Sequence, residues 1–120
     1  MYRLWLFLGA VAGLVAVALS AWAAHGTPAG FVGAHRRAVD NALMIQGWHA
    51  LAMIAAGLMA EGGRPVAHLA GAAFAIGTAM FCGAVWWSAL GHPSLGPVAP
   101  VGGSTLMIGW LLMAAAALKR

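Results

Sequence analysis

This chain of 120 residues is 63% hydrophobic and only 7% charged, whereas a soluble domain carries roughly 25% charged residues. Such a composition excludes an ordinary water-soluble domain and suits a protein that faces lipid on its outside. The net charge of +4 does not indicate a nucleic-acid partner, because the six basic residues are scattered at the ends of apolar runs, as membrane-flank anchors are. They are Arg3, Arg36, Arg37, Arg64, Lys119 and Arg120.

Four apolar runs are long enough to cross a bilayer, for which a helix needs about 20 residues. In chain order they cover residues 4–24, 41–60, 66–90 and 101–118, and breaks rich in Gly, Pro or charge separate them. The sequence therefore predicts an all-α fold, an integral membrane four-helix bundle, in one domain covering residues 1–120.

The first two runs leave alternatives open. Arg3 and the Ala21–Ala23 segment give the first run some features of a secretory signal, but its apolar stretch is longer than a usual signal core, so we expect a retained helix. The second helix is predicted to begin with a polar turn near Ala34. Arg36 lies four residues before Asp40, which allows a local ion pair, although two interfacial anchors and a solvated acid are an equally good interpretation.

Four crossings would place both chain ends on one side of the membrane. Counted by side, four basic residues lie with the chain ends, and two, Arg36 and Arg37, lie in the first loop. Because cytoplasmic segments carry an excess of Lys and Arg, we expect both termini to be cytoplasmic.

Small residues are expected to hold the helices together, because lipid removes most of the hydrophobic drive for helix association and small side chains permit close packing. Any surplus of small residues would serve contact with a partner or a second copy. The six tryptophans are expected mostly at the membrane interfaces, with Trp48 and Trp110 as candidates for ligand contact. The small-residue positions are Gly9, Gly13, Gly71, Ala73, Ala75, Gly77, Ala79, Gly109 and Ala116.

Buried polar side chains are candidates for function, because they are costly in lipid. His49 lies about 12 Å into the second helix, at 1.5 Å per residue, and Gln46 precedes it on the same face. Cys82 reaches a similar depth from the same side, where His25 closes the first helix. We predict a polar cluster of His25, Gln46, His49 and Cys82, which either contacts a ligand or is structural. A lone buried His more often donates a hydrogen bond to a backbone carbonyl.

Residue sets for catalysis or metal binding are missing. The two acids, Asp40 and Glu61, lie at predicted loop positions, and one cysteine excludes an internal disulfide. We therefore expect no enzyme, no catalytic residues, no cofactor and no metal. A metal or haem site using His25 and His92 is a weaker alternative, because both lie at the rim of the bundle while His49 is deep.

The segment between the third and fourth runs holds three prolines and no charged residue. Proline lacks a backbone donor and restricts the residue before it, so we expect a rigid turn at the membrane interface. Ser104 and Thr105 are expected to cap the fourth helix. The turn signature is Pro100, Gly102, Gly103 and Trp110.

Three segments carry a family resemblance: "AAHG", "WHALAMI" and "GTAMFCGAVWWSALGHPSLGPVAPVGGSTLMIGW". In this order they resemble the domain of unknown function 423 family of YgdD-like and transmembrane protein 256-like small membrane proteins, over nearly the whole chain. The chain departs from the family at Ala23, where Gly is frequent, and at Trp86 and Trp87, where Tyr is common. The recurrent residues of the family fall on His25, Gly26, His49, Gly77, Phe81, Pro100, Gly102, Gly103, Gly109 and Trp110.

The resemblance implies a four-helix protein of the bacterial inner (plasma) membrane and no established activity. Our leading hypothesis is an accessory, scaffolding or assembly subunit of a larger membrane complex, a respiratory complex being one candidate. Its partners would be the lipid bilayer and other membrane-protein subunits or a second copy. The alternative is binding or transport of a small hydrophobic molecule, a lipid or quinone, with His49 and Gln46 as polar contacts.

Overall fold

Four helices make up the fold in the computed structural model, which describes residues 2–25 and 33–118. Each helix is long and apolar enough to cross a membrane, which confirms the all-α, four-helix membrane fold. Gly26, Lys119 and Arg120 lie outside the described residues. The helices are α1 (Tyr2–His25), α2 (Gly33–Glu61), α3 (Val66–Ala89) and α4 (Val98–Leu118).

The polar start of α2 is helical, which confirms that this helix begins close to Ala34. The helix begins eight residues before the predicted span, and Arg36 Nε donates to Asp40 Oδ2 at 3.2 Å. Both side chains are half exposed, so solvent screens the pair and its contribution to stability is small. The first turns of α2 therefore suit the headgroup layer better than the hydrocarbon core.

The predicted turn before the fourth helix is confirmed over residues 91–97, but its last three residues are helical, because α4 begins at Val98. Pro100, Gly102 and Gly103 lie within the first two turns of α4. The first bond of this helix runs from the Val101 amide to the Pro97 carbonyl at 2.9 Å. A proline in the first turn is compatible with a helix, because the amide that it lacks would have no partner there.

The predicted capping of α4 by Ser104 and Thr105 is also wrong. Both residues lie inside the helix, beyond its first turn. Thr105 Oγ1 donates instead to the carbonyl of Val101 at 2.8 Å, one turn back along the same helix.

The antiparallel pair α2 and α3 forms the centre of the bundle. In their most apolar stretches 44% of the residues of each are buried, against 17% in α1 and 22% in α4. α1 packs mainly on α2, and α4 packs mainly on α3. The outer helices therefore leave most of their apolar surface free to face lipid.

Trp5 joins α1 to α3, which is not its neighbour along the chain. Its indole N–H donates to His68 Nδ1 at 3.0 Å, and its ring lies over Gly71, where a Cβ would come within 2.7 Å of ring carbon Cδ2. Trp5 is 6% exposed, so its ring packs inside the bundle and does not face lipid. This contact draws α1 towards α3 at the end that holds the chain termini.

Arg64 closes the same end of the bundle. It lies in the short turn between α2 and α3, and its Nη1 donates to the carbonyls of Ala116 at 2.7 Å and Ala117 at 3.0 Å. The last carbonyls of a helix lack partners within it, and a cation there interacts favourably with the helix dipole. Arg64 therefore satisfies the end of α4 and ties it to the central pair.

Candidate functional site

His49 is buried where α2, α3 and α4 meet, and both of its ring nitrogens have partners. Nδ1 lies 2.7 Å from the Ile45 carbonyl, and Trp110 Nε1 lies 3.0 Å from Nε2. A carbonyl only accepts and an indole N–H only donates, so this geometry requires the proton on Nδ1 and a bare Nε2. His49 is thus held as a neutral ring with no nitrogen left for a ligand.

Three aromatic rings from three helices surround this hydrogen bond. The ring centroids of His49 and Phe74 are 5.5 Å apart, those of His49 and Trp110 are 5.7 Å apart, and those of Phe74 and Trp110 are 5.1 Å apart. All three pairs are inclined, as aromatic pairs prefer. The arrangement favours the structural interpretation of His49, because ligand contact would require it to leave an occupied position.

Gln46 and Cys82 each bind a backbone carbonyl of a neighbouring helix. Gln46 Nε2 donates to Ala12 O at 2.9 Å, which links α2 to α1. Cys82 Sγ donates to Ala42 O at 3.3 Å, which links α3 to α2. Both side chains are buried, so each offsets part of its cost in an apolar surrounding by an interhelical bond.

The four residues predicted as one polar cluster are divided among three places. Gln46 and Cys82 line a groove between α1 and α3, whereas His49 lines a smaller groove between α2 and α4. His25 is exposed at the end of α1 and lines neither groove. Depth along a helix follows from the sequence, but α1 and α4 cover different sides of the central pair. Gln46 and His49 point in slightly different directions around α2, and this difference is enough for them to meet different outer helices.

The larger groove, which we call the α1–α3 groove, has a volume of about 540 Å³. Leu8, Val15 and Trp22 of α1 form one wall, and α3 forms the other. Its polar side chains are Gln46, Thr78 and Cys82. The smaller α2–α4 groove has a volume of about 230 Å³ and holds Trp48, His49 and Trp110.

Thr78 was not among the predicted site residues. It is 7% exposed, and its Oγ1 has no hydrogen-bond partner within the described ranges. The sequence does offer a signal, because Thr78 precedes Cys82 by one helical turn and therefore shares its face.

His92, proposed with His25 for the alternative metal or haem site, packs against its own end of α3. Its ring stacks on Trp87 with centroids 4.0 Å apart, and Nδ1 lies 3.3 Å from the Trp87 carbonyl. One ring face and one nitrogen are thus occupied. Within residues 2–25 and 33–118, no three His, Cys, Asp or Glu side chains are grouped to hold a metal ion.

Comparison with known proteins places the chain among small membrane proteins. The family described as "Protein of unknown function (DUF423)" matches residues 19–103. No solved structure matches the chain.

Relatives of known sequence match over almost their whole length. The chain is 31% identical to the UPF0382 inner membrane protein YgdD of Escherichia coli K12, over 98% of this chain and 91% of the relative. It is 30% identical to a UPF0382 membrane protein of Haemophilus influenzae, over 96% and 94%. It is 29% identical to one of Staphylococcus epidermidis, over 98% and 97%. The chain is therefore a membrane protein that belongs to the DUF423 family.

Proposed function

We propose that this protein is a non-catalytic accessory, scaffolding or assembly subunit that packs against another membrane protein through the outer face of α2 and α4. Trp48 carries the proposal. It is 58% exposed and lies in the middle part of α2, beside the buried His49. Tryptophan in a membrane normally lies at the interfaces, where its indole N–H reaches polar groups.

The indole N–H of Trp48 has no hydrogen-bond partner among the described residues. Unlike Trp110, whose N–H donates to His49, the exposed Trp48 lies in the middle part of α2, where lipid would offer its N–H no acceptor. A polar group left unpaired in an apolar medium costs free energy. A partner that supplies an acceptor and covers the ring would remove this cost.

Gly47 gives the same face a shape that suits a second helix. A Cβ added at Gly47 would meet nothing within 4 Å, so the missing side chain leaves a notch that none of the four described helices fills. Exposed Met44 and Leu51 flank this notch along α2. Small residues between larger ones allow the backbone of a partner helix to approach closely. On α4, Gly103 and Met107 continue the face across the α2–α4 groove.

The non-catalytic part of the proposal is supported by the placement of the acids. Asp40 and Glu61 are exposed near opposite ends of α2, and neither lines the grooves that hold the buried polar groups. The alternative, a lipid or quinone held by His49, has less support, because both ring nitrogens are occupied within the protein.

We further propose that the protein lies in the bacterial inner membrane with both termini in the cytoplasm. The end of the bundle that holds Arg3 and Arg64 would then face the cytoplasm, as the excess of basic residues there favours. The turn between α3 and α4 carries no charged residue and would face the other side.

Extraction in a mild detergent, followed by native mass measurement, tests the subunit role. We expect the wild-type chain in a discrete complex larger than its own 12.2 kDa. Gly47→Leu should reduce the complex at least tenfold, the effect of about 1.4 kcal/mol, because the new side chain fills the notch. It should not unfold the protein, because the position is open.

Gly83→Leu is the matched control. Gly83 is equally open but lies on the α1–α3 groove, so this variant should keep the complex. A lone monomer under every mild condition, or equal complex formation by wild type and Gly47→Leu, would contradict the proposed role.

A further inference from the structure

The α1–α3 groove has the length of a lipid chain. α1 and α3 meet where Trp5 covers Gly71, and the groove extends from there towards the end that holds Trp22 and Trp86. From Leu8 to Trp22 it covers 14 residues, about 21 Å at 1.5 Å per residue. One leaflet contributes about 15 Å of a hydrocarbon core of about 30 Å, so the groove is long enough for the hydrocarbon chain of a lipid. Its volume of about 540 Å³ is that of a ligand site.

The walls of the groove exclude a charged occupant. Leu, Val, Ala, Met and Trp side chains form most of the lining, and none of the described residues that line it is charged. An ionised group inserted among these side chains would lose its hydration and gain no counter-charge. A neutral, largely hydrocarbon molecule is the chemistry that the groove accommodates.

One buried hydroxyl along this groove is unsatisfied. Thr78 is more than nine-tenths buried, and its Oγ1 has no partner within the described part of the chain. Thr105 shows the usual solution for a helical threonine, since its Oγ1 donates to the carbonyl of Val101 at 2.8 Å. Thr78 does not form such a bond and therefore keeps a donor and an acceptor for another molecule.

Gln46 lies at the same level as Thr78. Cys82 of α3 bonds to Ala42 of α2. The two helices are antiparallel, so four residues back along α3 from Cys82 corresponds to four residues forward along α2 from Ala42. Thr78 therefore lies opposite Gln46. Gln46 uses its Nε2 on Ala12 O, which leaves its side-chain carbonyl as an acceptor. A hydroxyl placed between the two side chains would accept from Thr78 and donate to Gln46, and a carbonyl would accept from Thr78.

We propose that the α1–α3 groove binds a neutral lipid with a long hydrocarbon chain and a hydroxyl or carbonyl group that reaches Thr78 and Gln46. Both residues lie near the middle of their helices, so the polar group of the ligand must enter the centre of the membrane. The polar groups of bilayer phospholipids stay at the interface, outside the hydrocarbon core. The site faces away from Gly47 and Trp48 and does not depend on the proposed partner.

Photolabelling in lipid nanodiscs tests the site with a diazirine derivative of hexadecanol. We expect labelled peptides from α1 and α3 along the groove. Unlabelled hexadecanol should compete at least fivefold better than hexadecane, which has the same chain without the hydroxyl. Equal competition by the two, or label spread evenly over all four helices, would overturn the proposal and show only a lipid-coated surface.

Two variants test separately the polar contact of the ligand with Thr78 and the space that the α1–α3 groove offers. Thr78→Val keeps the side-chain volume and should abolish the preference for hexadecanol over hexadecane. Gly83→Leu adds a side chain where a Cβ meets nothing within 4 Å and should reduce labelling at least tenfold by filling the groove. Gly47→Leu, which tests the partner face, should label like wild type. Unchanged labelling and preference in both Thr78→Val and Gly83→Leu, at wild-type thermal stability, would contradict the site.

Discussion

Gly102→Ala is expected to destabilise the bundle by about 1–3 kcal/mol, the usual cost of overpacking. A Cβ at Gly102 would lie 2.6 Å from the backbone nitrogen of Phe81 and 3.0 Å from the carbonyl oxygen of Gly77. These are backbone atoms of α3, which cannot move aside as the end of a flexible side chain can. The two helices would have to separate and lose the packing around Leu106.

Gly103→Ala provides the matched control for this prediction. It lies one residue further along α4, but its Cβ would meet nothing closer than Phe81 Cδ1 at 3.9 Å. Alanine is better than glycine in a helix by about 0.8–1.0 kcal/mol, so this variant should be as stable as wild type or more stable. Thermal unfolding in detergent micelles, followed by circular dichroism, measures both. Shifts of equal size and direction would contradict the close contact between α3 and α4.

His49→Leu is expected to lower the free energy of unfolding by about 2–3 kcal/mol, because removing one partner leaves buried polar groups unsatisfied. The substitution removes both ring nitrogens of His49: Nε2, which accepts from the Trp110 N–H, and Nδ1, which donates to the Ile45 carbonyl. It also replaces a ring that packs against Phe74 and Trp110. Trp48→Phe, at the exposed neighbour, should have little effect on unfolding.

A double-mutant cycle isolates the hydrogen bond itself. Trp110→Phe keeps an aromatic ring and removes the N–H, so together with His49→Leu it should show a coupling between about 0.6 kcal/mol, the average for hydrogen bonds between membrane helices, and about 1.7 kcal/mol, the largest value. Unfolding by titration with a denaturing detergent measures the four free energies. Strictly additive effects would show that the contact between α2 and α4 does not depend on this bond.

The spans could be predicted because hydropathy depends on composition over about 20 residues. The local pair of Arg36 and Asp40 was one of two equal interpretations, because helical spacing allows side chains four positions apart to meet but does not require it. The first residues of the helices were harder to predict from the sequence. Pro100, Gly102 and Gly103 were interpreted as turn residues, since proline and glycine usually interrupt helices. In the structure the proline fits the first turn of α4, and Gly102 provides the close approach to α3.

The buried polar residues show a second limit of prediction from the sequence. Their depth followed from counting residues, but depth does not say which neighbouring helix a side chain meets. Gln46 reaches α1 and His49 reaches α4 because the outer helices lie on different sides of the central pair. The bond from the Trp5 N–H to His68 was not predicted either. Such pairings between residues distant in sequence depend on tertiary packing, which a single sequence does not display.

Cysteine labelling with a membrane-impermeant maleimide tests four crossings and cytoplasmic termini most directly. The natural cysteine, Cys82, is buried and gives a low background. Ser94→Cys, in the turn between α3 and α4, should react in intact spheroplasts. Gly62→Cys, between α2 and α3, and Leu118→Cys, at the end of α4, should react only after permeabilisation. Reaction of all three positions from the same side would contradict the four-crossing bundle, and the reverse pattern would contradict the cytoplasmic termini.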